Sequence, residues 1–217
     1  MEYYILGGST LLSTRKIKQY EVPYRQEFPQ TCVITCLTAI FHKKGLDFRT
    51  TAFCDILEWL DFRNSPETMK IFPGRPLAES PKFYGCNVTD LNRQIFDKLC
   101  GSINTKLGCG LKEEYHSIKS ILSSENMWDN NYLEQNFFIE DDDPTKDIIV
   151  YYDYAVITEN QTMTARHASL IAGLYEDNVI LWIPNETKNF YTNVKKQLLY
   201  EAMRAVNGGI SEIINHR

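Results

Sequence analysis

From residue 147 the chain is dominated by residues that favour strands. DIIVYYDYAVIT (147–158), RHASLIAGLY (166–175) and VILWIPNE (179–186) are runs of Val, Ile, Leu, Tyr and Trp with short polar breaks between them. Side chains branched at Cβ, and aromatic ones, suit the pleated backbone of a strand. The polar EDN at 176–178 has the length and composition of a hairpin tip, so a hairpin is predicted over 167–185. This stretch commits the chain to a sheet, and a sheet with an apolar face needs a layer packed on it.

The first two thirds of the chain supply that layer as helices. VITCLTAIFHKK (33–44) is apolar at 33, 34, 37, 40 and 41, a helical spacing, and Gly45 stops it with lysines in its last turn. Further helices are predicted at 49–63, at 88–100 with Thr89 or Asp90 as N-cap, and at LKEEYHSIKSILSSEN, 111–126. A short edge strand is expected at 3–6, a strand and turn over 101–110, and an irregular stretch with four prolines over 64–85. After the hairpin, NVKKQLLYEAMRAV (193–206) reads as a last helix running to Gly208-Gly209, and SEIINHR as a closing strand. Helices first and strands second predict an α+β fold. One domain is expected over 1–217, with a mainly helical lobe at 1–146 packed on a mainly β, antiparallel lobe at 147–217. A site would fall in the cleft between them.

Composition narrows the function classes. The 217 residues are 43% hydrophobic and 12% aromatic, enough for a core and unlike a disordered chain. Net charge is −5 with no basic stripe, so nucleic acid is not an expected partner. The N-terminus lacks the pattern of a secretory leader, and no apolar run approaches the roughly 20 residues that a bilayer needs. No membrane partner is expected, and the expected location is cytoplasmic, with delivery by a specialised secretion system the alternative. The six cysteines, at 32, 36, 54, 86, 100 and 109, are then expected as reduced thiols. Cys32 and Cys36 have helical i, i+4 spacing, but no second close pair completes a zinc site. The acidic turn EDDDPTKD lacks the Gly and the final Glu of a calcium loop. No metal and no cofactor are expected.

The candidate chemistry sits in RQEFPQTCVITCLTAIFHKKG, 25–45. A thiol attacks a carbonyl as thiolate, and a helix N-terminus or a nearby imidazolium lowers its pKa. Cys32 lies where the helix begins, so the free N–H groups of the first turn face its sulfur and can bind an oxyanion. Gln26, six residues earlier, has the type and position to supply a second oxyanion donor. Gln30 stands in the same relation to Cys36. Cys32 leaves the longer helix behind it and follows Pro29 closely, which favours it as the nucleophile. Of the four histidines, 42, 116, 167 and 216, His167 opens an apolar strand after a polar loop and is the candidate base. His42 reads as a solvated helix end and His116 as a helix-face residue.

Together, Gln26…Cys32 with Leu37, then IIVYYDYAVI, then HASLIAGLYEDNVILWIP, resemble papain-like cysteine peptidases, and most of all the bacteriocin-processing, double-glycine type. The motifs cover about 24–45 and 147–186. The resemblance implies a papain-like fold and a Cys–His site cleaving an amide bond of a peptide or protein. It places Gly173 near the end of the His strand. It also places the orienting Asp or Asn of the family at Ile183, which cannot orient an imidazole. Asn185, two residues on and on the same face of a continued strand, is the substitute, with Glu186 a further option. A protein-glutamine deamidase or acyltransferase would use the same parts. Ile183 also leaves open a catalytically inactive relative that binds peptide or protein in the cleft. Gly7-Gly8 and Gly208-Gly209 read as turn-formers, not as self-processing sites.

Overall fold

The computed structural model describes residue 20 and residues 32–43, 110–118, 146–159, 166–175, 177–184 and 190–215. Among them are helix α1 (Cys32–Lys43), strand β1 (Leu111–Ser117), strand β2 (Lys146–Asp153), the short helix α2 (Tyr154–Ile157), strands β3 (Arg166–Tyr175), β4 (Asn178–Ile183) and β5 (Phe190–Lys195), helix α3 (Lys196–Ala205) and strand β6 (Gly209–Asn215). The strands form one antiparallel sheet in the order β1-β6-β2-β3-β4-β5.

The expected hairpin is present. β3 and β4 pair from Tyr175 opposite Asn178 to Leu170 opposite Trp182, with a register shift between Ile171 and Gly173. A bulge of this kind absorbs one extra residue and bends the strand. The closing strand is present as β6, and α1 lies within one residue of its predicted bounds.

The sheet is covered on both faces, which explains why β2 and β3 read as continuous rather than alternating apolar runs. One face carries Ile148, Val150, Tyr152, Leu181, Ile183 and Ile210, packed on Leu199, Ala202 and Met203 of α3. The other face carries Ile149, Tyr151, Leu170 and Trp182, the alternate residues of the same strands. α1 packs here, against β3 and β2. Val33, Thr35, Cys36, Leu37, Thr38, Ala39, Ile40 and Phe41 are all buried, so α1 is a core helix enclosed on every side. At its C-terminal end Lys43 pairs with Asp147, which is fully buried on β2. Tyr20 completes this cluster: its hydroxyl donates to Asp147 Oδ1 at 2.7 Å, its ring meets Trp182 at 6.1 Å, and its N–H donates to the Tyr191 hydroxyl at 2.8 Å.

Three expectations are corrected. Residues 111–117, expected as the start of a helix, are the edge strand β1, paired along its whole length with β6. Its charged residues Lys112, Glu113 and Glu114 suit an edge, where Lys and Glu discourage further pairing. His116 is therefore a strand residue, not a helix-face one. The last helix begins at Lys196, not at 193, because Phe190–Lys195 pairs with the otherwise open edge of β4. The strand expected over 147–158 ends at Asp153, whose carboxylate accepts from the Ala155 N–H at 3.0 Å and starts α2. The predicted elements at 3–6, 49–63, 64–85, 88–100 and 119–126 lie outside the described residues, as do residues 101–109.

Gly208 and Gly209 have a packing role. A Cβ on Gly208 would lie 2.0 Å from the Tyr151 carbonyl oxygen, and one on Gly209 would lie 2.4 Å from the His116 carbonyl oxygen. Both glycines are buried where the chain passes between β1 and β2. No described helix is long and apolar enough to cross a membrane.

Candidate active site

Cys32 is the first residue of α1, at the end of the helix where backbone N–H groups are free. Its sulfur is approached by its own N–H, by that of Val33 and by that of Ala168 on β3. Each favours the thiolate. Burial opposes them and is the stronger influence, so the thiol pKa is raised above its ordinary 9.0. The expectation that the helix terminus would lower the pKa is thus met in direction by the N–H groups and overridden by desolvation.

Cys36 follows one turn on and is fully buried. Its S–H donates to the Ala168 carbonyl at 3.7 Å. No N–H group offsets its burial, and the neighbouring Cys32 adds to it, so its pKa is raised well above the ordinary value. The two thiols therefore meet one residue from two sides: Cys32 at the Ala168 N–H, Cys36 at the Ala168 carbonyl. Both are free thiols.

Ala168 follows His167, so the Cys32 sulfur lies one residue along β3 from the candidate base. His167 stands directly across from Tyr152 of β2. Its ring is 5.9 Å from the Tyr152 ring, edge to face at 84°, and 5.2 Å from the Tyr154 ring at 49°. Nε2 is buried and has no hydrogen-bond partner among the described residues, the thiol included. Burial pushes the imidazole pKa down from 6.5 to about 4, against the backbone of Pro184, which favours the charged form. Proline has no N–H, so the contact is with its carbonyl oxygen. At neutral pH the site therefore holds a thiol and a neutral imidazole. Ile183, at the position where a polar partner was expected, is 1% exposed and packs in the α3-side core.

Gln26, Gln30, Asn185 and Glu186 lie outside the described residues, as does His216. His42 sits in the last turn of α1 and His116 on β1, both remote in the chain from the Cys32–Ala168 contact. The sequence reading did not single out Tyr152, Tyr154 or Ser169. The Tyr152 and Ser169 hydroxyls share a hydrogen bond of 2.8 Å behind His167. The signal was the tyrosine alternation in YYDY, which becomes readable only once Tyr152 is known to pair with His167.

One group of metal-binding type exists among the described residues. Glu114, His116 and Glu212 bring donor atoms within 4.8 Å of one another on β1 and β6. Lys146 Nζ lies 2.9 Å from Glu212 Oε2 and Lys112 pairs with Glu114. Two ammonium groups thus already balance the two carboxylates.

No family model and no curated protein matches the chain. Among solved structures, a candidate C39-like peptidase from Bacillus anthracis aligns over 93% of this chain and 98% of its own, with a TM-score of 0.49 and 12% sequence identity.

Proposed function

We propose that the chain is a papain-like thiol hydrolase acting on an amide bond of a peptide or protein. The observation that carries this reading is the placement of Cys32: first residue of a buried helix, sulfur against the Ala168 N–H, next in the chain to an imidazole with an unsatisfied Nε2. In the proposed cycle His167 takes the Cys32 proton as the sulfur attacks the carbonyl carbon. The C–S bond forms and the proton passes to the leaving amine as the C–N bond breaks. Water, deprotonated by His167, then hydrolyses the thioester and restores the thiol. The N–H groups at the start of α1 and the Gln26 amide are assigned to the oxyanion. Asn185 is assigned to orient His167. It stands three residues past Trp182, as His167 stands three before Leu170, the cross-strand partner of Trp182. Because both groups rest in their neutral forms, proton transfer accompanies attack instead of preceding it.

A second reading has its own support. Ile183 buried in the core and a thiol raised above its ordinary pKa also suit an inactive relative that holds peptide in the same cleft. A set of peptidyl acyloxymethyl ketones, read by mass mapping, separates the two. These electrophiles need a positioned Cys–His pair. Labelling of Cys32 that disappears in His167→Ala is expected. Absence of labelling at Cys32, with binding of the same peptides retained, establishes the inactive reading. Ammonia release from protein glutamine, in place of chain cleavage, would identify a deamidase.

A further inference from the structure

We propose that Tyr154 is a positioning residue for His167, fixing the plane of the imidazole through ring contact; this rests on the thiol-hydrolase reading. An imidazole that moves protons must be held both in tautomer and in plane. A polar partner from the β4 side constrains the first. Ile183 offers no second polar contact from that strand. What remains against the ring is aromatic: Tyr152 at 5.9 Å and 84°, and Tyr154 at 5.2 Å and 49°.

Tyr152 is in place because β2 and β3 pair there. Tyr154 is in place for a different reason. Asp153 leaves the strand and caps α2 through the Ala155 N–H, and that turn carries the Tyr154 ring back over the start of β3. Tyr154 is half-buried and packs on the α3-side core, so its position is set from two directions. Such an arrangement restrains ring rotation and keeps water from the imidazole.

The groups that face the imidazole among the described residues are few. They are the Tyr152 ring from β2, the Tyr154 ring from α2 and the Pro184 carbonyl, while the Cys32 sulfur lies at the N–H of the next residue, Ala168. Asp153 and Arg166 form the next cross-strand pair, one residue along, so they face the other side of the sheet.

The test uses the full chain as wild type, Tyr154→Phe, Tyr154→Leu and His167→Gln. Two curves are measured: the His167 titration from its imidazole C–H resonance, assigned by its loss in His167→Gln, and the rate of Cys32 alkylation by iodoacetamide against pH. Tyr154→Phe is expected to reproduce both wild-type curves. Tyr154→Leu is expected to raise the His167 midpoint by about one pH unit as the ring becomes hydrated, and to lower the His167-dependent alkylation about tenfold. Where the leucine variant does not fold, Tyr154→Met replaces it. Wild-type curves in the ringless variant overturn the proposal, as does a failure of phenylalanine to restore them. If His167→Gln leaves Cys32 alkylation unchanged, the hydrolase reading fails on its own, and the shift in the His167 titration still decides the positioning role.

Discussion

At Cys32 three backbone N–H groups compete with desolvation, and at His167 one carbonyl does; in both places desolvation is the larger influence. For His167 the consequence is a pH dependence of stability. Its folded pKa, about 4, is below the unfolded 6.5, so the unfolded chain binds the proton more readily between these values. This contribution is present above pH 6.5 and lost as pH falls through 4, up to about 3 kcal/mol in all. Urea unfolding of wild type between pH 7 and pH 4 should show that loss, and His167→Gln should flatten it. Equal slopes for the two proteins would mean that the imidazole is hydrated in the folded state. The places of Cys32 at the start of a helix and of His167 at the start of a strand were legible in the sequence, because the hydrophobic pattern marks both boundaries. Tyr154 was not, since its contact depends on the β2–β3 register and on a cap that ends a strand-like run early.

Among the elements, α1 is the one whose placement matters most to the site, and its C-terminal end is held by a buried charge. Asp147 has no exposure and receives the Tyr20 hydroxyl and the Lys43 ammonium. Lys43→Met removes this cation from a fully buried carboxylate, which should cost about 3–5 kcal/mol in chemical denaturation. The double variant Lys43→Met/Asp147→Leu should recover most of it. A loss under about 1 kcal/mol in the single variant would show that the pair behaves as an exposed one. The helix itself was legible from the spacing of its apolar residues, and the hairpin from its β-branched runs. β1 was misread because LKEEYHS carries the helix-forming residues Leu, Lys and Glu, and only its pairing with β6 overrides that preference. The start of α3 was misplaced for a similar reason: the open edge of β4 draws Phe190–Lys195 into the sheet.

For the molecule as a whole, an antiparallel sheet was anticipated, but neither its strand order nor its cover on both faces was. No periodicity reveals that residues 209–215 lie between 111–117 and 146–153. The glycine pair at 208 and 209, first read as turn-forming, is also what lets the chain enter that gap. Gly208→Ala should destabilise the fold by about 1–3 kcal/mol, seen as a lowered urea midpoint, because the added methyl meets the Tyr151 carbonyl. An unchanged midpoint would mean that β2 and the turn can separate at little cost.

The position of β6 also bears on how the chain acquires its structure. Among the described residues β1 has β6 as its one neighbour in the sheet, and residues 118–208 separate the two in the chain, Leu111 facing Asn215. A strand that must wait for a distant partner carries a large loop-closure entropy, and such pairings form slowly. During synthesis β2, β3, β4 and β5 can associate as a meander while residues 111–117 remain without a sheet partner. The sheet is completed when residues 209–215 leave the ribosome and enter between two strands made earlier. Until then the interval is one in which a chaperone, or another copy of the nascent chain, can compete for the same open edges.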